Sequence, residues 1–192
     1  VGLADYLEEQ WVNNNTDFSQ INWDALYRAN YLNNVASPNA SAHYMVERRH
    51  NDLMEAAMNA LYTNQLTDQL KLTAGINAKY GLGMHYKTVD DLLGGNQWID
   101  IDQFAERDFA NNAIIIQNDL DNPNRVVKVG DVFGYNYNMH VVKGSAFVDN
   151  FWNTRLFDIY YAVALNYTQF QREGLMRNGR AHVIGAKSKG YG

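Results

Sequence analysis

The chain has 192 residues, a formal net charge of −5 and no cysteine. The negative charge argues against a nucleic-acid partner, and the lack of cysteine excludes disulfides and thiolate metal sites. A composition of 46% apolar and 19% charged residues is ordinary for a globular chain, and no apolar run of about 18 residues predicts a transmembrane helix.

Strand formers and polar loop residues are prominent in the composition, which includes 13 tyrosines and only 2 prolines. The chain begins at Val1, without an initiator methionine or a signal peptide. We therefore expect it to be a piece of a longer protein.

Residues 1–51 predict a polar loop region with one short helix. Asn22 can cap a helix that continues to Tyr31, and Asp24 is favourably placed in its first turn. Asn33 and Asn34 are expected to end it. Four apolar residues can share one face of this helix, which we interpret as a packing face rather than a ligand platform. They are Trp23, Leu26, Tyr27 and Tyr31.

Two strands with regular alternation follow, at about 52–66 and 69–87. Their even positions are mostly apolar or aromatic and their odd positions are mostly small or hydrophilic, a period of two that predicts strands. The short link at 67–69 makes a hairpin with both apolar sets on one face. Soluble strands usually have about 5–6 residues, whereas a tilted strand that crosses a bilayer needs about 9–11. A long hairpin in a soluble β-protein gives the same alternation.

Residues 88–132 make a connection far longer than a usual loop, which indicates a functional segment or a small subdomain. Trp98 offers a stacking face, Asp100 and Asp102 offer acceptors, and Arg107 offers a forked donor for carboxylate or phosphate. These four residues are the candidate ligand contacts. The alternative, that Trp98 and Arg107 pack within the loop's own fold, is the stronger expectation.

A second hairpin is predicted at 133–170. Its strands run at about 135–151 and 156–170, with a tight turn at 152–155, and the odd positions of the last strand are apolar almost throughout. The preceding strand begins with apolar odd positions. Lys143 then interrupts this pattern, and Ala146 and Val148 take the opposite parity, which predicts a bulge at 142–144. Residues 171–192 are expected to be loop-like.

The sequence contains no catalytic constellation that we recognise. Its five histidines show no metal-ligand spacing. Asp119 and Asp121 begin like a calcium loop, but Pro123 occupies the position of the next ligand. Asp100 and Asp102 are better explained as solvated loop carboxylates than as a cation site. We therefore expect no enzymatic activity, no metal and no cofactor.

Short turns at one end of the strands and long loops at the other are typical of outer-membrane barrels. Four strands cannot close a barrel, so the chain would be a segment of a larger one. We predict an all-β fold: an antiparallel up-and-down transmembrane β-barrel segment of about four long strands in two hairpins, with long extracellular loops and a short helix. Its parts are the extracellular loop 1–51, the hairpin 52–87, the extracellular loop 88–132, the hairpin 133–170 and the start of the next extracellular loop at 171–192.

The alternation also assigns a side to individual strand residues. Toward lipid we expect Leu72, Ile76, Met84, Ile159, Val163 and Leu165. Toward the lumen we expect Lys71, Asn77, Lys79, Asp158 and Asn166.

Seven short stretches stand in series along nearly the whole chain. They are QINWDALY at 20–27, ERR at 47–49, VDDLLGG at 89–95, FAERDF at 104–109, QNDLDNPNR at 117–125, FGYNYN at 133–138 and MRNG at 176–179. In order and spacing the series resembles the mid-barrel region of TonB-dependent outer-membrane receptors, in particular those with a carboxypeptidase-regulatory-like domain before the plug. No single stretch is a catalytic signature.

This resemblance implies a non-enzymatic receptor in the outer membrane, in contact with its lipid. Such a receptor imports a scarce nutrient, here of unknown class, through a plugged barrel of about 22 strands. It couples to the TonB complex through parts that this chain does not contain. The alternative is a soluble β-rich binding or glycan-processing module with its site on the 88–132 loop.

Overall fold

The computed structural model describes residues 2–109, 111–179 and 189–191. Antiparallel β-sheet predominates, with 50% strand and 19% helix, which agrees with the predicted all-β class. No helix within the described ranges is long and apolar enough to cross a membrane.

A five-stranded sheet and a two-stranded sheet organise the chain. In chain order the elements are α1 (Leu3–Val12), α2 (Thr16–Ser19), α3 (Trp23–Ala36), β1 (Val46–Thr67), β2 (Leu70–Asp91), β3 (Trp98–Ile99), α4 (Gln103–Asp108), β4 (Val126–Val127), β5 (Val132–Asn153), β6 (Asp158–Gly174) and β7 (Lys189–Tyr191). The larger sheet has the strand order β1-β2-β5-β6-β7, and β3 pairs with β4 in the smaller one.

The chain divides into two compact units. The helical unit comprises Val1–Arg48, Thr88–Ile99 and Val126–Asp131. The sheet unit comprises Arg49–Lys87, Asp100–Arg125 and Val132–Gly192. Most of each long strand therefore belongs to the sheet unit.

The N-terminal region contains three helices where one was predicted. Asn22 caps α3 as expected, because its side chain accepts a hydrogen bond from the Ala25 amide at 3.0 Å. The predicted end at Asn33 and Asn34 is wrong, since α3 continues to Ala36. The side-chain amides of both asparagines donate to carbonyls outside the helix. They therefore do not compete for the backbone hydrogen bonds of α3.

Asn30 anchors α3 and is fully buried, with 0% of its surface exposed. Its amide nitrogen donates to the carbonyls of Tyr44, Leu92 and Leu93 at 2.8, 2.8 and 3.1 Å. Its side-chain oxygen accepts from the amides of His43 and Tyr44 at 2.8 and 3.1 Å. One side chain thus satisfies backbone groups of two irregular segments that burial would otherwise leave unpaired.

The predicted packing face of α3 is wrong for most of its members. Trp23, Tyr27 and Tyr31 are exposed. Leu26 is half-buried. The Tyr27 hydroxyl donates to Asp91 at 3.2 Å, and this bond to a carboxylate raises the pKa of Tyr27 above 10.0 because it favours the protonated phenol. Polar contacts, more than apolar burial, fix this helix.

The long strands extend beyond their predicted bounds. The first hairpin, predicted at 52–87, covers 46–91, and its turn consists of residues 68–69. β6 continues to Gly174. The tail predicted as a loop contains β7, which pairs with β6 at Gln169, Phe170 and Gln171.

The predicted bulge at 142–144 is wrong for the pairing of β5 with β6. The register runs without a break from Tyr137↔Gly174 to Asn153↔Asp158. Because side chains alternate along a strand, Met139 and Val141 lie on the face opposite to Ala146 and Val148. β5 therefore carries its apolar residues mainly on one face near its start and on both faces near its end, where Phe147 and Phe151 share the face of Met139 and Val141.

Cross-strand contacts show which side chains share a face of the larger sheet. The Tyr80 hydroxyl lies 2.9 Å from His140 Nδ1, and His140 Nε2 lies 3.1 Å from Glu173 Oε2. Even positions of β2 and β5 therefore share a face with odd positions of β6. The Tyr86 hydroxyl of β2 donates to Asp52 of β1, so the even positions of β1 lie on this face too. We call this the apolar face, and the opposite side of the same strands the mixed face.

Candidate functional site

A buried carboxylate, Asp100, organises the loop segment of the sheet unit. Only 1% of its surface is exposed, so the expectation of a solvated loop carboxylate is wrong for Asp100. Oδ1 accepts from the Asn118 amide and the Gly134 backbone amide, both at 2.9 Å, and Oδ2 accepts from Arg125 at 2.7 Å. Arg125 also donates to the Val132 carbonyl at 2.7 Å. The carboxylate is satisfied by the protein, and it ties the loop to the start of β5.

Asp102 and Trp98 also have structural surroundings. Asp102 is the N-cap of α4 and accepts from the amides of Phe104 and Ala105 at 3.0 and 3.1 Å. Trp98 is buried in β3, opposite Val127. The predicted internal packing of Trp98 therefore agrees with its position.

Arg107 lies at the surface with 71% of its side chain exposed, so its predicted packing inside the loop is wrong. Its guanidinium binds the neighbouring Asp108 carboxylate at 2.8 and 3.3 Å. It also lies 5.9 Å from the ring centre of Phe104, within the range of a cation–π contact. These contacts of Arg107 involve neither Asp100 nor Asp102, and ligand contact by any of the four candidates stays a prediction.

The QNDLDNPNR stretch forms a loop that hydrogen-bonds to itself. Gln117 donates to the Asn124 side chain at 3.0 Å and accepts from the Asn124 amide at 2.7 Å. Asp119 accepts from the Asp121 amide at 3.1 Å and from Asn122 at 2.9 Å. These bonds use the acceptors that a calcium loop would direct at an ion. Within the described ranges no group of three histidines or acidic residues is placed to hold a metal.

The strand residues with a predicted side separate cleanly between the two faces. The apolar face carries Leu72, Ile76, Met84, Ile159, Val163 and Leu165. The mixed face carries Lys71, Asn77, Lys79, Asp158 and Asn166. On that face Lys79 forms an ion pair with Glu55 at 2.7 Å. That one face meets lipid and the other a lumen remains a prediction.

Sequence reasoning missed two cross-strand groups. On the apolar face, Tyr80, His140 and Glu173 form a hydrogen-bonded chain beside a pocket of about 280 Å³. On the mixed face, His85 and Arg172 both contact Tyr137. Their members come from strands far apart in sequence, so only the pairing of β2 with β5 and of β5 with β6 brings them together.

Comparisons of the chain with models of protein families, with curated proteins and with solved structures gave no match. The indications of function therefore lie in the residues on the two faces of the larger sheet and in the loops that connect its strands.

Proposed function

We propose that this chain is part of an outer-membrane TonB-dependent receptor. In this proposal β1, β2, β5 and β6 are neighbouring strands of a plugged barrel that binds and imports a scarce nutrient. The observation that carries it is the long, exposed apolar face of the sheet.

Large apolar side chains on this face stand open in every long strand. Ile76 is 52% exposed, Val163 59% and Leu165 72%. The other exposed members include Met54, Met58, Tyr62, Leu66, Phe157, Tyr161 and Tyr167. Soluble monomers rarely expose one continuous apolar surface of this extent, whereas a barrel strand presents such a surface to lipid.

The length of the apolar stretch in β6 fits a bilayer. It reaches from Phe157, just before the strand, to Tyr167, and at about 3.3 Å per residue it covers roughly 33 Å. A strand tilt of about 40° reduces its height to roughly 25 Å, which is the apolar band of outer-membrane barrels. Trp152 pairs with Ile159 at the turn end, and Tyr167 lies at the loop end. Aromatic residues at both limits suit the two interfaces.

Polar residues begin on the same face where this stretch ends. Gln169, Gln171 and Glu173 follow Tyr167, and Glu173 contacts His140. Ionisable groups are costly inside the hydrocarbon region, and above it they meet water and lipid head groups. The change from apolar to polar residues therefore supports a membrane boundary near Tyr167.

A sheet edge also favours a larger assembly. Among the described strands β1 lies at one end of the sheet. An unpaired edge in lipid would leave backbone groups without hydrogen bonds, at a cost of several kcal/mol each. In the proposal, further strands of the parent barrel pair with this edge.

Two adjacent residues test the proposal. In the intact protein, Ile76→Arg should lower the yield of assembled outer-membrane protein and destabilise it by about 2–4 kcal/mol if residue 76 lies near the bilayer midplane. Asn77→Arg, on the mixed face, is the matched control and should be tolerated. Assembly is measured by the heat-dependent shift in gel mobility of outer-membrane fractions. Equal tolerance of both changes would contradict the proposal.

A further inference from the structure

The mixed face carries a group of basic and aromatic side chains near the loop end of the sheet. His85 and Lys87 come from β2, Tyr135 and Tyr137 from β5, and Arg172 from β6. We call these five residues the basic-aromatic cluster. The chain as a whole is negatively charged, so this concentration of basic groups runs against its overall balance.

Tyr137 positions two of the basic residues. The His85 ring stacks on it with centres 4.9 Å apart and planes 17° from parallel, and the Arg172 guanidinium carbon lies 4.4 Å from its centre. β2 and β6 flank β5 on opposite sides, so His85 and Arg172 approach Tyr137 from different strands. A cation–π contact of this kind restrains a guanidinium and leaves its N–H donors available at the rim.

Gly134 makes room for the third basic residue. A Cβ atom at this position would lie 2.2 Å from Lys87 Cε. Gly134 also has a φ of +75°, a backbone conformation that residues with a side chain rarely adopt. The Lys87 side chain can therefore lie across β5 at Gly134. Its ammonium lies 4.4 Å from the ring centre of Phe133 and 5.8 Å from that of Tyr135. Because the Gly134 amide also donates to Asp100, the buried carboxylate helps to hold this arrangement.

Two residue types of the cluster, Arg172 and the tyrosines, have donors left for a ligand. The ion pairs found among the described residues do not include Arg172, which is half-buried. In the same ranges the hydroxyls of Tyr135 and Tyr137 make no side-chain hydrogen bond. A half-buried guanidinium without a carboxylate has an unmet preference for an oxyanion, which it can bind through two parallel bonds.

A recess for the rest of a ligand adjoins the cluster. A Cβ at Gly83 would lie 3.1 Å from the His85 ring, so the glycine lets the ring lie close to the strand. Gly81 and Gly83 line a pocket of about 320 Å³ together with Lys79 and Lys143. Apolar side chains supply most of its remaining lining, and Lys79 is already paired with Glu55.

We propose that the basic-aromatic cluster binds the oxyanion group, carboxylate or phosphate, of the ligand that the receptor imports. Arg172 supplies the forked donor, and the tyrosine hydroxyls supply further donors. The assignment to an imported ligand rests on the proposed receptor function. The binding site itself depends only on the contacts of the mixed face.

The test is binding of glucuronate and of glucose, which differ by a carboxylate, to the intact protein purified in detergent. We expect glucuronate to bind more tightly than glucose, and its binding to weaken as salt is added. Arg172→Gln should lower glucuronate affinity about tenfold or more, because a charge-assisted bond is lost. Arg155→Gln, in the turn at the other end of the sheet, removes the same charge and should leave the affinity unchanged. Ligand-observed NMR measures the affinity of the parent protein for both sugars and the affinity of each variant for glucuronate.

Further measurements separate the possible outcomes. Arg172→Lys keeps the charge without the fork, so an affinity between those of the parent and Arg172→Gln supports the assigned role. Inorganic phosphate competing with glucuronate also supports it. Equal binding of glucose and glucuronate would overturn the proposal, and so would equal losses for Arg172→Gln and Arg155→Gln. Since binding is measured in detergent, failure here leaves the outcome of the Ile76→Arg and Asn77→Arg comparison unaffected, and the two proposals fail separately.

Discussion

Asp100 joins an irregular segment to a long strand through hydrogen bonds from Asn118, Arg125 and Gly134. A carboxylate is buried at low cost only where several donors face it. Here three donors from different parts of the sheet unit do so. The residue therefore stabilises the loop end of β5, where Gly134 also makes room for Lys87.

Replacing one oxygen of this carboxylate should be costly. Asp100→Asn keeps the shape, but its NH2 group would place a donor opposite the existing donors, and Arg125 would lose its counter-charge. We expect a loss of about 2–3 kcal/mol in the free energy of unfolding. Asp108→Asn breaks the exposed pair with Arg107 and should cost less than about 1 kcal/mol. Urea titrations of the protein in lipid measure both, and similar losses at the two sites would contradict this role of Asp100.

At the scale of elements, the sequence predicted those features that depend on local order. The N-cap at Asn22 follows from a preference that acts within one turn, and the β2 alternation follows from the period of a strand. The end of α3 was missed because the side chains of Asn33 and Asn34 bind carbonyls outside the helix, those of Ser41 and Gly94. The bulge was inferred from β5 alone, whereas its partner β6 sets an unbroken register.

Docking of α3 through Asn30 leads to a further prediction. Asn30→Ala should remove the hydrogen-exchange protection of the His43 and Tyr44 amides, because Asn30 is their acceptor. Asn33→Ala, with the same change in helix propensity, loses one bond to Ser41 and should leave both amides protected. Retained protection in Asn30→Ala would show that other contacts hold the helix.

For the whole molecule, the sequence predicted the division into long hairpins and long loops, because alternation and turn residues are local signals. It did not predict which polar and aromatic side chains contact each other across the strands. Tyr80 and His140, or His85 and Tyr137, become neighbours only through strand pairing. The same limit applies to Asp100, whose partners lie in the loop and at the start of β5. The side-chain contacts of the site therefore cannot be predicted from the sequence, whereas the alternation of the membrane strands can.

The most direct measurement compares spin labels at two adjacent residues of β6 in the intact protein in outer-membrane lipid. Leu165→Cys and Asn166→Cys lie on opposite faces, and this chain supplies no other thiol to react. We expect the label at 165 to collide with dissolved oxygen and to be protected from a water-soluble nickel chelate, while the label at 166 is reached more readily by the chelate. Equal access of the nickel chelate to both labels would contradict a sheet with its apolar face in lipid.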